Sequence, residues 1–510
     1  MIGLQEVDHW DLRKRRYVRL VSIITRINVS SLFLAMTSNV TKDKLTARST
    51  MLAGACIALG SILIMVAAWG DLWLDEIWSV YCAEAVRTPW EILSRFKHDN
   101  NHVLNTLYLY VIGKQQTLLF YRGLAIASGI GSLIVLRKIA LRWGPAESVI
   151  VVLLAGTSYP LLLYFSEARG YAPAIFFGLL SFFLLQECQL RFRSSRLVLF
   201  WCAAILGVMS HMTFVIVFLS LAIYSLHHEL SAETPFARRS LQAGKYLFVP
   251  GVFIVFFYLF YAMNMTIGGD EAVDKIMVLA QGASSLVGVP DAVRSLGIPL
   301  LLLPILLFLV LLFREGDREW SFYGSVLLFA PALAIILVVS KYLNYRYVIV
   351  CVPFFYLVIS RLLAKAYRAE AKAYHYLTFI VLGLYLIGQA FRLVPFYEYG
   401  RGSYRPVISE MATASSSTTI TVGSDNDFRN KMLIEFYSRF LDDGKKLRYV
   451  DQQFWASEPP EWIILHSLDE AYVPKPWIAT TYGRTYLLTK TERFYGNSGF
   501  SWFLYHAGSR

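Results

Sequence analysis

The stretch Trp69-Gly70-Asp71-Leu72-Trp73-Leu74-Asp75-Glu76-Ile77-Trp78-Ser79 follows directly on the first long apolar run of the chain, Met51–Trp69. Tryptophans concentrate at the membrane–water interface, and charges enter the hydrocarbon only at a cost. The run therefore predicts a membrane helix that ends at Trp69, with two adjacent carboxylates just beyond it. A pair held at that boundary can meet both a lipid-borne reactant and a polar one.

Composition carries the same reading to the whole chain. Of 510 residues, 56% are hydrophobic and only 16% charged, too apolar for a soluble globular protein of this length. The formal charge of +12 falls in short clusters between apolar runs instead of along one basic face, which argues against a nucleic-acid partner. Cys56, Cys82, Cys188, Cys202 and Cys351 lie mostly inside apolar segments, without C-x-x-C or metal-ligand spacing.

Further apolar runs follow at Leu119–Leu136, Ser148–Tyr164, Ala172–Leu185, Leu197–Ser210, Phe214–Leu226, Tyr246–Tyr261, Ile298–Phe313, Phe322–Ser340, Tyr347–Leu363 and Tyr376–Leu393. They predict a polytopic α-helical membrane protein of about eleven spans, several short of the roughly 20 residues a full crossing takes. Basic clusters such as Arg137, Lys138 and Arg142, or Arg361, Lys365 and Arg368, come after every second span and read as cytoplasmic. An odd number of spans then places Asp75, Glu76 and the C-terminal part on the external, periplasmic face of a plasma membrane, expected to be a bacterial inner membrane. Residues 1–50 read as a cytoplasmic or interfacial segment. Within it Tyr17–Met36 is moderately apolar but broken by Arg19 and Arg26.

Residues 51–394 thus form the expected transmembrane domain, with an external loop at 70–118. In that loop Trp78–Ala85, Trp90–Phe96 and His102–Ile112 carry helical periodicity and read as amphipathic helices on the membrane surface. Residues 395–510 are polar enough for a small external α/β domain. Its expected strands are Thr419–Val422, Leu447–Val450, Trp462–His466, Arg484–Thr489 and Trp502–Tyr505, with a helix at Phe428–Phe440.

Four polar constellations share the external side: Asp75-Glu76, His98-Asp99-Asn100-Asn101-His102, Ser166-Glu167-Ala168-Arg169-Gly170-Tyr171, and Lys341-Tyr342-Leu343-Asn344-Tyr345-Arg346-Tyr347. Glu167 and Arg169 sit in a connector of a few residues at the bilayer edge, where charges need a partner or a task. Arg346 between tyrosines suits a phosphate grip, or a snorkelling anchor in the aromatic belt. His102 and His211 are candidate ligands of a divalent metal ion together with Glu76 or Glu167, or ordinary hydrogen-bonding histidines. No Gly-rich phosphate loop, Walker lysine or dinucleotide fingerprint is present, so a cytosolic nucleotide donor has no visible site. A sugar carried on a membrane lipid phosphate would reach the same boundary as these groups. Asp75 would then take a proton from an acceptor hydroxyl while Arg169, Arg346 and Lys341 hold the departing phosphate.

In order and sidedness these motifs resemble the GT-C superfamily of polyprenyl-phosphate-sugar-dependent glycosyltransferases, in particular the protein O-mannosyltransferase and lipid A aminoarabinose transferase group. The matching pieces are Leu74-Asp75-Glu76, Asn101-His102-x-Leu-x-x-Leu-Tyr, Ser166-Glu167-Ala168-Arg169-x-Tyr171, and Tyr345-Arg346-Tyr347 ahead of Pro353. The resemblance implies a catalytic acidic motif in the first loop and a polyprenyl-phosphate-linked sugar donor. It also implies inversion at the anomeric carbon and an acceptor that is a glycolipid, a polysaccharide or a protein. Asp75, Glu76 and Glu167 become the expected catalytic acids, and Arg169, Arg346, Lys341 and Tyr345 the phosphate-binding set. Many relatives carry a proline pair after the first-loop histidine where this chain has Val103-Leu104. The competing class is a transporter or flippase of lipid-linked saccharides, which would place ionisable residues at mid-membrane depth and show repeat symmetry.

Overall fold

Long apolar runs become helices because lipid leaves backbone polar groups no partners except one another. The computed structural model describes residues 42–230, 236–266, 268, 274–337, 344–441 and 444–508. The expected N-terminal segment Tyr17–Met36 and Lys341 lie outside them.

Among the described residues seven helices are long and apolar enough to cross a membrane, at Ala47–Ala67, Leu118–Ala140, Tyr171–Leu190, Gln242–Asn264, Asp291–Arg314, Tyr345–Tyr367 and Lys372–Tyr399. An eighth candidate is the pair Pro145–Thr157 and Tyr159–Phe165, bent by 67°. The other expected spans coincide with the shorter apolar helices Ser194–Ser210, Phe214–Glu229 and Trp320–Ile336. The chain is a multi-pass membrane protein. Its first helix crosses the Pro145–Thr157 helix at Gly60 and Gly156, where a Cβ on Gly60 would stand 3.0 Å from the Gly156 Cα. Small residues at that crossing let the two backbones meet closely.

Two features depart from the hydropathy pattern. The expected span Ser148–Tyr164 breaks at Ser158, whose hydroxyl caps the second helix by accepting from the Leu161 N–H at 3.4 Å. Pro160 follows near the start of that helix, where a missing N–H costs nothing. A further helix, Lys275–Val287, capped by Asp274 and ended by Gly288 at φ +79°, had no counterpart in the sequence reading.

The C-terminal part is an α/β domain with strands β1 (Thr419–Ser424), β2 (Lys446–Tyr449), β3 (Trp462–Ser467), β4 (Trp477–Ala479), β5 (Thr485–Glu492) and β6 (Ser501–Ala507). The sheet order is β2-β1-β3-β6-β5-β4. Strands β2, β1 and β3 run parallel, while β3, β6, β5 and β4 are joined antiparallel. The three-residue β4 is the one strand the sequence pattern did not announce.

The helices expected in the loop after the first span do form, and the loop packs against the C-terminal domain. Its helices Leu74–Glu84 and Val103–Ile112 share a hydrophobic core with the C-terminal domain, in which Leu72, Leu74, Ile77 and Val80 pack with Tyr404, Ile408, Leu433 and Trp502. Polar clamps close the seam. Asp71 accepts from the backbone N–H groups of Tyr404 and Arg405 at 2.8 and 2.9 Å, and the Tyr437 hydroxyl donates to the Leu72 carbonyl at 2.6 Å. The C-terminal domain thereby becomes part of the scaffold that holds Asp75.

Candidate active site

Successive helix residues point about 100° apart, so Asp75 and Glu76 cannot face the same way. In the helix Leu74–Glu84 the packed face takes Glu76, which is fully buried. Its carboxylate accepts from Arg122 Nε at 2.7 Å and Nη2 at 2.6 Å, from the Ala168 N–H at 2.7 Å and from the Trp73 N–H at 3.1 Å. Arg122 spends its remaining donors on the carbonyls of Ala68, Gly70 and Asp71, each at 2.8 Å. Burial pushes the Glu76 pKa up, but Arg122 outweighs it and holds the carboxyl below its ordinary value. Every lone-pair direction is taken, which leaves no place for a metal ion or a substrate proton.

Asp75 is arranged differently. Its side chain is 17% exposed, and Oδ2 meets Arg169 Nη1 at 2.8 Å and Arg346 Nη1 at 3.6 Å. Asn100 spans the pair, donating to the Asp75 carbonyl at 3.0 Å and accepting from Arg169 Nη2 at 2.8 Å. Arg169 lies over the rings of Tyr171 at 5.0 Å and Trp73 at 5.9 Å, and Arg346 over Tyr347 at 5.6 Å. The Nε of each arginine is buried without a hydrogen-bond partner.

Local structure explains how residues this far apart converge. Arg169 sits in the connector between helices Tyr159–Phe165 and Tyr171–Leu190, pinned by Asn105, which donates to the Ala168 carbonyl at 2.8 Å. A Cβ on Gly170 would lie 1.8 Å from the Ser210 carbonyl oxygen, so only glycine lets the His211 turn pack against this connector. Arg346 opens the 3-10 turn Tyr345–Cys351, and its N–H donates to the Asn344 side chain at 3.0 Å.

The His102 and His211 rings stack at 4.7 Å, and Tyr171 lies 5.4 and 4.4 Å from them. Burial depresses both imidazoles well below their usual pKa; His211 adds to this for His102, and Arg169 and Arg346 for both, so each is neutral at pH 7. His211 Nδ1 meets the Thr213 N–H at 3.1 Å, while His102 Nε2 is buried and unpaired. Neutral imidazoles suit a metal ion, yet among the described residues no group of three His, Cys, Asp or Glu side chains is placed to hold one. The expected set of Glu76, His102 and His211 does not form a metal site.

A cavity of about 560 Å³ opens beside these groups. Asp99, His102, Arg169, His211, Arg346 and Tyr347 supply its polar lining. The rest of the wall is mostly apolar and includes Met209, Met212, Ile216, Leu219 and Phe257. Asp75 is not among the lining residues; it stands behind the two arginines that are.

Three solved structures can now be set beside this one. ArnT from Cupriavidus metallidurans in the apo state matches with a TM-score of 0.52 at 12% identity, over 90% of this chain and 99% of that one. The GT-C expectation is met at the level of architecture. The chain has the GT-C fold. ArnT from the same organism bound to undecaprenyl phosphate matches with a TM-score of 0.50 and the same identity and coverage. The Archaeoglobus fulgidus oligosaccharyltransferase tethered with an acceptor peptide reaches only 0.44, at 8% identity over 78% of this chain and 63% of that one. No protein-family model and no curated protein matches the sequence.

Within this GT-C fold the expected residues divide. Asp75, Arg169 and Arg346 come together, with His102 and His211 beside them. Glu76 belongs to the Arg122 pair instead of a substrate site. Glu167 is fully buried, 3.5 Å from Arg401 Nε; burial raises its pKa above the ordinary value against the opposing pull of Arg401, Arg169 and Ser498. It is absent from the cavity lining, as is Tyr345, which packs against Gly282 while Tyr347 takes the lining position. Arg122, Arg401 and the bridging role of Asn100 were not anticipated. Arg122 had a signal: an arginine inside an apolar run calls for a buried partner.

Proposed function

We propose that this protein is an inverting glycosyltransferase. It moves a sugar from a polyprenyl-phosphate donor to a cell-envelope acceptor, a glycolipid, polysaccharide or protein, on the external face of the membrane. One observation carries the reading: two guanidiniums, each with its Nε buried and unpaired, line the polar end of an apolar-walled cavity, and the partly exposed Asp75 carboxylate is ion-paired with both. Two arginines and one aspartate leave one net positive charge, which a phosphodiester neutralises. The apolar wall suits the polyprenyl chain. The fold shared with a protein solved bound to undecaprenyl phosphate supports this choice of donor.

In the proposed reaction the acceptor oxygen attacks the anomeric carbon and the bond from that carbon to the phosphate oxygen breaks. Asp75 accepts the acceptor proton, and the polyprenyl phosphate leaves with its extra negative charge facing Arg169 and Arg346. A single displacement of this kind inverts the anomeric centre. Phosphate binding draws the guanidiniums toward the donor and loosens their hold on Asp75, which frees the base when it is needed. His102 and His211, being neutral, add hydrogen-bonding capacity without further charge. No step is assigned to a metal ion or to Glu76.

The test is release of polyprenyl phosphate from a labelled donor by the purified protein in nanodiscs. Asp75→Asn is expected to bind donor and to release polyprenyl phosphate about 10²–10⁴-fold more slowly, whereas a flippase would keep translocating lipid-linked saccharide with that substitution. Wild-type turnover in Asp75→Asn would remove Asp75 as the base.

A further inference from the structure

Asp75 and Trp78 are three residues apart on one helix and share a face. Both are half-buried, while Glu76 and Ile77 between them are buried. The Trp78 ring meets His98 at 4.3 Å and Phe428 edge-on at 5.5 Å. These three rings come from the first-loop helix, the loop before His102 and the C-terminal domain. Phe428 remains 55% exposed, and the His98 and Asp99 side chains, paired at 2.7 Å, are each 25% exposed. A residue serving only to wedge the domain in place would be covered, and the Asp71, Tyr437 and shared-core contacts already fix the domain.

Phe428 also has a defined place in the sheet. It lies in the turn after β1, just ahead of the helix Arg429–Ser438. Strand β1 is flanked by β2 on one side and β3 on the other, both parallel to it, so the chain changes direction across the sheet at this point. The crevice at the carboxyl ends of such strands is where open α/β sheets receive ligands. Here it carries Asp425, whose carboxylate meets His466 Nδ1 at 2.8 Å, and Arg429, 3.4 Å from His466 Nε2. Aromatic faces and planar polar groups thus lie side by side, beginning one helical turn from Asp75.

We infer that this seam binds the saccharide rings of the acceptor. Trp78, His98 and Phe428 offer faces for the apolar C–H side of a pyranose, and Asp425, His466 and Arg429 offer partners to its hydroxyls. The inference rests on the transferase reading for its geometry. The attacking hydroxyl must reach Asp75, and the next ring of a glycan then falls at the neighbouring position on the same helix face, roughly 5–6 Å away, at Trp78. Donor and acceptor approach Asp75 from different sides, the donor from the cavity behind the arginines and the acceptor along the Asp75–Trp78 face. The acceptor is therefore a glycan, free or on a lipid, and not a bare peptide.

The experiment uses the full chain in nanodiscs with Asp75→Asn, so that no turnover consumes the probe. The protein is applied to an array of cell-envelope oligosaccharides that also carries unglycosylated peptides. Binding to a saccharide class is expected. Trp78→Leu or Phe428→Leu, which keep apolar bulk but remove the aromatic face, should each weaken it about tenfold. Phe428→Tyr should restore it. In the otherwise wild-type enzyme the same leucine variants should raise the acceptor KM and leave the donor KM unchanged. Binding to peptides alone, to no saccharide, or to saccharides with undiminished strength in both leucine variants overturns the inference. Saccharide binding that needs Trp78 in a protein that never releases polyprenyl phosphate would instead overturn the transferase reading and leave the seam standing.

Discussion

Glu76 and Asp75 are neighbours in sequence, and each meets arginine, yet the two ion pairs are opposites. Glu76 and Arg122 form a closed unit: bidentate, fully buried and saturated by backbone groups on both sides. Asp75 with Arg169 and Arg346 is an open unit, partly exposed, with unpaired donors facing a cavity. The closed pair is geometry, since it anchors the start of the helix to the Ala168 connector. The open one is the chemical unit of the proposed reaction, since it still has capacity for an anion and a proton.

The sharpest way to break this contrast is to neutralise each acid in turn. Asp75→Asn should lower sugar transfer by about 10²–10⁴-fold, the range for a lost general base, with little change in thermal stability. Polyprenyl phosphate release and a melting curve measure the two effects on the same sample. Arg122→Met strands a buried carboxylate and should cost about 3–5 kcal/mol of stability, seen as a lower Tm and poorer yield. Adding Glu76→Gln to it should recover part of that loss. If Arg122→Met melted like wild type while losing activity, the closed pair would belong to the chemistry after all.

A smaller effect sharpens the open side. Arg346→Lys keeps charge but loses the planar fork, so it should raise the donor KM about tenfold and leave the acceptor KM alone. Unchanged donor kinetics would make Arg346 a membrane anchor and leave the phosphate to Arg169. The smallest effect concerns pH. His102 and His211 have folded pKa values depressed below 6.5, so below that pH the unfolded chain takes up protons that the folded one refuses. Their contribution is complete above pH 6.5 and should fall as pH drops below it. Melting curves from pH 7 to 5 should be flatter in a His102→Gln, His211→Gln variant.

Much of the architecture was legible because it follows from local rules. Apolar runs and basic clusters mark membrane helices, and short strand-like runs mark β1, β2, β3, β5 and β6 close to their observed bounds. The break at Ser158 was hidden because Tyr159–Phe165 is as apolar as the helix before it, so hydropathy runs on through the bend. Strand β4 escaped because three residues cannot display a period. Two of the three helices expected in the first loop proved to be part of a core shared with the C-terminal domain, a partner more than 300 residues away, while the Trp90–Phe96 piece packs with Val208, Phe214 and Phe257.

The sequence by itself determined that this chain lives in a membrane, where its polar motifs punctuate the apolar runs, and that acidic and arginine groups meet at one end of the helices. Only the tertiary structure decided which acid is available. The choice between Asp75 and Glu76 depends on the 100° step between helix neighbours and on Arg122, 46 residues downstream, which closes on one carboxylate and leaves the other to Arg169 and Arg346. A buried charge must be paired completely, whereas a half-exposed one can keep capacity in reserve, and which condition applies is set by packing that no local pattern records.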